Sequence, residues 1–488
     1  MSLSVALNTA RASLLATARQ LSVSSRNIGG ADDPAYTRKS ADSTTTPDGG
    51  ARVITIARST DAGIFARVLG FRSTGTASQA VLDGLERLHD TVGDTDSLTS
   101  PAARIGALSQ ALTAQANAPS SRSLAQATVT AAQATAAALN NATATVTTIR
   151  TDADKAMATS VGDINDLLAR LTEVNAAAVK GTFIGEDVSD LLDQRDAILG
   201  KLSDEIGITT VDRPNNEIAV YTDSGVPLFD KTARSVTFAS NLALAPGVAG
   251  NAVYVDGVPV TGANATMPIS SGRLAGLATL CDDVAVTYQA QLDEMARGLV
   301  EAFAESDQSG GGGADRAGLF TWSGGPAVPA SGTLVDGIAG SIKVNPSVDP
   351  AQGGNLDRIR DGGINGVAYS YNLSVAASFS GRLEALVTAV AAPRDYDPAA
   401  GLQTNTGLDT FGTGSVSWLE DQRKTTSSNV DYQGALLSRA SDALSNVSGV
   451  NVDDEYAKQL QLEQSYQASS KLINIVRDMF DSLFTAVS

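Results

Sequence analysis

The chain has 488 residues, enough at roughly 150 per domain for about three structural units and a sizeable buried core. Its 35 Lys and Arg stand against 53 Asp and Glu, a net charge of −18, so nothing in the composition would neutralise phosphates and no nucleic-acid partner is expected. Aromatic residues make up only 5%, while Ala, Thr and Ser are plentiful, which predicts thin, helical cores.

The first segment places Leu7, Leu14, Leu21 and Ile28 at seven-residue spacing, with the small or polar Ala10, Thr17 and Ser24 on the neighbouring seam. This predicts a helix with a narrow apolar stripe that stops at Gly29-Gly30. Asp33-Pro34-Ala35-Tyr36 then reads as a turn, because Pro presets φ and disfavours helix in the residue before it. The polar stretch Ser40 to Gly50 is expected to be a linker. The N-terminus lacks the basic region and continuous apolar stretch of a cleavable secretory signal, and no apolar run reaches the roughly 18 residues of a membrane span, which by simple rules points to the cytoplasm.

Between about 66 and 206 the pattern is that of long helices. His89 sits in Leu85-Glu-Arg-Leu-His-Asp90, the polar face of one of them. As the only imidazole it cannot build a Cys/His zinc framework or an HExxH pair, and the bland reading of a surface histidine outweighs a catalytic one. Leu139, Ala142, Val146, Ile149, Ala153 and Ala156 recur at 3,4 spacing, as do Ile164, Leu167, Leu171, Val174 and Ala178. Asp190 to Ser203 continues as an amphipathic helix ended at Gly207. The period then changes to short alternating runs over 208–260, with Glu217-Ile-Ala-Val-Tyr221 and Val226-Pro-Leu-Phe229 separated by the hairpin signal Asp223-Ser-Gly225.

Helix returns from Gly272 to about Glu305, where Leu274, Leu277, Cys281, Val284, Tyr288, Leu292, Met295, Leu299 and Ala302 form one stripe. Cys281, the single cysteine, reads there as a small core hydrophobe. Gly310 to Gly313 breaks the helix. A single Gly-Gly-Gly-Gly-Ala-Asp copy cannot stack into a calcium-binding β-roll, so a flexible link is the simpler reading. Residues 320–410 read as a small mixed insertion with one helix, Leu373 to Val390. The last segment carries Leu462, Tyr466, Ser469, Ile473, Val476, Phe480, Leu483 and Val487 at alternating spacings of four and three, started by a capping Asn451 and by Asp453, Asp454 and Glu455 in the first turn.

The predicted fold is therefore mainly α with inserted β: terminal coiled-coil helices, a long-helix bundle domain and one or more small β-rich or mixed inserted domains. The expected divisions are 1–45 for the N-terminal helix and motif and 46–305 for the bundle, which contains the hairpin region. A Gly/Pro-rich mixed insertion at 306–425, a return helix at 426–450 and the C-terminal helix at 451–488 complete the chain. A stripe this narrow cannot offset the ordering of so long a terminal helix, so neighbouring copies are expected to cover it. No catalytic, cofactor-binding or metal-ligating residue is nominated, and an enzyme is not expected.

Three segments resemble those of the FlgK family of bacterial flagellar hook–filament junction proteins. Asn27-Ile-Gly-Gly-Ala-Asp-Asp-Pro-Ala-Tyr-Thr-Arg38 is similar to the family's N-I-A-N-A-N-T-P-G-Y-T-R, with Asn27, Ile28, Ala31, Pro34, Tyr36, Thr37 and Arg38 matching. Ala35 replaces the family's Gly, which favours a type I over a type II turn. Asp190-Leu-Leu-Asp-Gln-Arg-Asp196 with Leu202-Ser203 and Gly207-Ile208 is the second segment. Ser448-Gly-Val-Asn-Val-Asp-Asp-Glu455 with Gln464-Ser-Tyr-Gln-Ala-Ser469 is the third, and Ser271-Gly-Arg-Leu-Ala-Gly-Leu277 is a looser likeness.

The resemblance implies a secreted structural protein of the flagellum, located outside the cell at the hook–filament junction. It implies a homo-oligomer in an axial ring, assembled through Leu7, Leu14, Leu21, Asn27, Ile28, Pro34, Tyr36 and Arg38 at one end and Leu462, Tyr466, Ile473, Val476, Phe480, Leu483 and Val487 at the other. Implied partners are the hook protein, the second junction protein, and the export chaperone and type III export apparatus, through which the chain would travel unfolded. Another flagellar axial protein, of hook, rod or second junction type, would share the first motif and the terminal heptads.

Overall fold

A computed structural model describes residues 3–45, 50–92, 100–241 and 243–487. Helix α1 (Leu3–Gly30) lies along the last helix of the chain, and the face it buries is the small seam: Ala10, Ala16, Thr17, Val23, Ser24 and Asn27. Leu7, Leu14, Leu21 and Ile28 are only half-buried, a correction to the expected stripe. Small side chains let two helix backbones approach closely, and the leucines then flank the contact instead of filling it. The turn after α1 is as expected. Tyr36 N–H donates to Asp33 O at 3.0 Å, and Ala35 is not among the described residues with positive φ.

The stretch expected as a linker is half of a hairpin. β1 (Lys39–Thr45) pairs antiparallel with β2 (Ala51–Arg58), with a bulge between Asp42 and Ser43. β2 reads Ala-Arg-Val-Ile-Thr-Ile-Ala-Arg, and a β-branched strand of this kind holds a polar partner strand that carries little signal of its own. The hairpin rests on α1.

The bundle follows as α2 (Ala62–Val92), α3 (Pro101–Asn117), α4 (Arg122–Ile184) and α5 (Ser189–Glu205). α4 is one unbroken helix of 63 residues, about 95 Å long. Leu139, Ala142, Val146, Ile149, Ala153, Ile164, Leu171 and Ala178 are buried along it as the periodicity predicts. Burial moves on by one residue at Leu168 and Asn175, because a 3.6-residue helix drifts against a 3,4 alternation.

A four-stranded antiparallel sheet then runs in spatial order through β3 (Ile208–Asp212), β4 (Ile218–Thr222), β5 (Pro227–Asp230) and β6 (Thr232–Ala233). The predicted hairpin is β4–β5. A second small sheet holds β7 (Val236–Thr237), β8 (Tyr254–Val255) and β9 (Val258–Pro259).

Helix resumes as α6 (Arg273–Thr279), a π-turn at Leu280–Val284 and α7 (Ala285–Ala302). Its entry needs glycine twice. Gly272 has φ +88° and a Cβ there would fall 2.4 Å from Ile206 Cα, while one on Gly276 would fall 2.2 Å from the carbonyl oxygen of Ala77 on α2. The predicted stripe from Leu274 to Ala302 is buried, but so is the polar side of α7, including Gln289, Gln291, Asp293, Glu294 and Arg297.

The cover over that polar side is the insertion, residues 303–407. It contains β10 (Phe320–Thr321), α8 (Ile338–Ser341), β11 (Lys343–Val344), α9 (Asp357–Asp361), α10 (Gly381–Ala391), β12 (Arg394–Asp395) and β13 (Asn405–Thr406). Asp293 accepts from the N–H groups of Gly337 and Ala339 at 3.0 and 2.9 Å, Glu294 from Asp397 N–H at 2.9 Å, and Gln291 donates to Ala400 O at 3.0 Å.

The helix expected from Leu373 starts only at Gly381. Asn372 holds the preceding loop instead, donating to Asp361 at 2.6 Å and accepting from Ala376 N–H at 3.1 Å, a local bonding pattern that competes with helix. The chain returns through α11 (Leu408–Ser448), which packs on α2 and is unbroken, so the insertion closes near 407 and not 425. His89 of α2 pairs with Glu420 of α11 at 2.5 Å, a contact between bundle helices. α12 (Val452–Val487) then runs back along α1, capped as expected by Asn451, whose side chain accepts from Asp453 N–H at 3.1 Å.

Candidate functional site

The three motif segments, far apart in sequence, meet where the α1–α12 pair joins the bundle. Asn27 is the hub. Its side-chain N–H group donates to Lys39 O at 2.9 Å and to Glu455 Oε1 at 3.0 Å, and its carbonyl accepts from Lys39 N–H at 3.0 Å and from the Tyr36 hydroxyl at 2.9 Å. The amide thus occupies both backbone groups of one residue of β1, as a neighbouring strand would. Glu455 also accepts from Ser24 Oγ at 2.8 Å and is almost wholly buried, so the first turn of α12 is locked to α1 by three side chains. Arg38 N–H donates to Ser448 O at 2.7 Å, tying the end of α11 to the same point.

The other half of the joint is ionic. Asp190, Asp193 and Asp196 recur at i, i+3 and i+6 along α5, one face of a helix. Lys39, whose side chain is fully buried, bridges Asp190 and Asp193, the latter at 3.1 Å, and lies over the Tyr36 ring at 4.0 Å. Arg58 of β2 bridges Asp193 at 2.8 Å and Asp196, and the Thr37 hydroxyl donates to Asp193 at 2.6 Å. Arg26 of α1 reaches Asp187, just before α5, at 2.9 Å.

Burial pushes the Lys39 ammonium toward neutrality, but the hydrogen bonds it donates to Asp190 and Asp193 overcome this and hold its pKa above the usual lysine value. Burial also pushes Asp187 up, yet bonds from Ser189 and Arg26 leave it below the usual carboxylate range. For Asp196 burial wins over Arg58, and the net shift is upward. Buried ion pairs of this kind are weak sources of stability but costly to break, which suits a joint that must keep one geometry.

Of the nominated residues, the structure brings Asn27 and Tyr36 into the joint by side chain and Arg38 by backbone, while Pro34 is exposed in the turn. On α12 the side facing α1 is Glu455, Leu462, Ser469, Ile473, Val476 and Phe480, all buried or half-buried. Tyr466 and Leu483 do not join them, being 40% and 52% exposed. The side chain of Val487 lies outside the described residues. A second apolar row, Leu472, Ile475 and Met479, at spacings of three and four, points to solvent, and Leu460 and Phe484 are exposed apart from it. Lys39, Arg58 and Ser24 were not nominated from sequence. The acidic repeat on α5 was the available signal, since three carboxylates on one helix face need cations from elsewhere.

Cys281 is buried with its thiol pushed up to about 12 by burial first, and is a core residue. Among the described residues no group of three or more His, Cys, Asp or Glu could hold a metal ion, and no helix is long and apolar enough to cross a membrane.

Comparison with known proteins gives consistent likenesses. The model for the flagellar hook-associated protein FlgK helical domain matches residues 85–319, and that for the flagellar basal body rod FlgEFG protein C-terminal region matches residues 443–485. Flagellar hook-associated protein 1 of Bacillus subtilis is 23% identical over 368 residues, 70% of this chain and 67% of that protein. Its counterpart from Escherichia coli is 24% identical over 392 residues, 67% of this chain and 68% of that protein. The solved structure of the flagellar hook junction protein FlgK from Burkholderia pseudomallei aligns with a TM-score of 0.56 at 14% identity, over 78% of this chain and all of the other, a likeness of fold.

Proposed function

We propose that this chain, which belongs to the flagellar hook-associated protein FlgK family, is a structural subunit of the flagellum at the junction between hook and filament. The match over the helical domain favours this over a hook or rod protein, because the terminal helix alone is also similar to the rod-protein C-terminal region. The observation that carries the mechanism is the division of α12 into two apolar sides. One covers α1 within the chain, and the other, with Leu472 54% and Met479 53% exposed, is left for neighbours. At roughly half of the 1.5 to 3 kcal/mol for full burial, each outward side chain would contribute about 1 kcal/mol to packing between copies.

In this reading the terminal helices form the inner layer of an axial ring of copies, the joint sets their angle to the bundle, and the bundle and insertion lie outside. The hook protein and the second junction protein flank the ring. Delivery unfolded through the flagellar export apparatus, with an export chaperone, accords with a chain that has one Cys and two Trp and little to oxidise or misfold on release. The test is imaging of the labelled chain in isolated flagella. A band at the hook–filament joint is expected, and label along the rod or hook would favour the other axial proteins.

A further inference from the structure

A cleft of about 930 Å³ lies beside the joint, bounded by α1, by the turn between α4 and α5, and by β2. Val53 to Arg58 all line it. Side chains of a strand alternate between faces, so an unbroken run of residues lines a cleft only when the strand presents its edge. The ladder identifies the groups on that edge. Ser59 N–H donates to Arg38 O at 2.8 Å, and the register continues through Ser40 opposite Ala57 and Asp42 opposite Thr55. Those pairs exchange the inner bonds, and the N–H and C=O of Ile56 and Arg58 point outward into the cleft.

On the opposite edge of the hairpin the outward groups of Lys39 are taken by Asn27, and Ala41 is the next outward position. Arg195, 7% exposed, also lines the cleft. One of its terminal nitrogens donates to Asn216 O at 2.7 Å, while its Nε has no hydrogen-bond partner.

The geometry points to strand addition between copies: the open edge of β2 receives the open edge of β1, residues 41–45, from a second copy of this chain. One chain carries both edges, and a neighbour's β1 placed beside β2 continues the antiparallel meander without reversing it. Such a head-to-tail contact repeats from copy to copy and gives a ring where its rotation closes. Opposite charges are available across it, with Asp42 exposed on β1 and Arg52 exposed on β2. Arg19, Ser22, Val23 and Arg26 of α1 also line the cleft, and Leu15, one turn further along that helix, is 56% exposed. Main-chain bonds supply affinity in contacts of this type, and two-stranded hairpins are marginal alone, so the added strand would complete an otherwise thin sheet. The inference rests on the ring reading and deepens it.

The test uses flagella isolated from cells making two full-length variants together, Thr55→Cys in one and a cysteine at Asp42 or Thr44 in the other. Pairing of the outward groups of Ile56 with an odd-numbered residue of β1 sets Thr55 opposite an even-numbered one on the same face. The native Cys281 is buried and does not compete. A second pair, Ile475→Cys with Leu483→Cys, reports helix packing. Disulfide-linked dimers from the strand pair, together with those from the helix pair, are the expected result. Helix crosslinks without strand crosslinks overturn the strand contact and leave the ring intact. Flagella that contain neither overturn the ring reading and this one with it. Ile56→Pro removes the outward N–H without touching the β1–β2 ladder, and is expected to lose the strand crosslink while the unfolding midpoint of the monomer is unchanged. A wild-type level of crosslinking in that variant also overturns the proposal.

Discussion

Asn27 and Glu455, 428 positions apart, share a buried hydrogen bond of 3.0 Å, and through it the first helix and the last are set to one register. Replacing Asn27 with Ala would leave Glu455, Tyr36 and both backbone groups of Lys39 short of partners. At about 1 to 3 kcal/mol for an unsatisfied buried group, a loss of roughly 2 to 4 kcal/mol in the stability of the joint is expected. Asn27→Asp should be worse, since it sets a second carboxylate against Glu455. Urea unfolding of the whole chain, followed by proteolysis of the termini, checks both. Termini that remain resistant in Asn27→Asp would show that the joint does not depend on this bond.

Lys39→Met keeps the volume of a fully buried side chain and removes its charge, leaving Asp190 and Asp193 without their shared cation. Breaking a buried pair from one side costs about 3 to 5 kcal/mol, and here less, because Asp190 is 61% exposed and Asp193 keeps Arg58. A double-mutant cycle with Asp193→Asn should give a coupling of about 1 kcal/mol or more, where independent sites would simply add.

The pH response of the joint has a defined sign. Lys39 titrates above the ordinary 10.5, so its contribution is fully present below that value and is lost as pH rises beyond it. Asp187 titrates below 3.8, so its contribution is present above that value and is lost as pH falls further. Lys39 and Asp187 therefore favour the joint between about pH 4 and 10, and the terminal helices should loosen outside that window, as read by protease sensitivity across pH. Asp196, whose pKa burial raises, works against the joint as pH rises through its own titration.

A different dependence is expected where the insertion meets α7. Burial first, opposed by bonds from Ala339 and Gly337, leaves Asp293 with its pKa pushed up to about 6. The folded state then binds this proton more tightly than the unfolded state does. Stability from this group is full below about 3.8 and is lost as pH rises through 6, by about 3 kcal/mol for a shift of two pH units. Subtracting the pH profile of Asp293→Asn from that of the parent isolates the effect, because the other carboxylates are common to both. A flat difference between pH 4 and 7 would contradict it.

The long helices were legible because their apolar spacing is periodic, and α4, α7 and α12 form where that spacing places them. The face used by α1 was less legible, since Leu7, Leu14 and Leu21 are the conspicuous residues while the contact is made by Ala10, Thr17 and Ser24, whose value lies in being small. β1 was hidden because Ser40, Asp42, Ser43 and Thr44 carry no strand pattern, and the strand exists through its partner β2. The ionic joint was visible only as a motif. Asp190 and Lys39 are 151 positions apart, and no local spacing tells a carboxylate which cation the fold will bring to it.

The two sides of α12 make the final prediction a matter of direction. Leu472, Ile475 and Met479 are each a little over half exposed, whereas Val476 between them is 6% exposed against α1. Changing the first three together to Ser should cost the monomer at most about 1.5 kcal/mol, because surface substitutions away from special features cost less than about 0.5 kcal/mol each, and should abolish incorporation into flagella. Val476→Ala should do the reverse at first, costing about 1 to 2 kcal/mol of helix pairing in the monomer while leaving the outward row intact. The pairing matters to assembly only because α1 holds the outward row in place. Val476→Ala chains should therefore still incorporate, at reduced yield, whereas incorporation of the triple variant at parental levels would remove that row from the interface between copies.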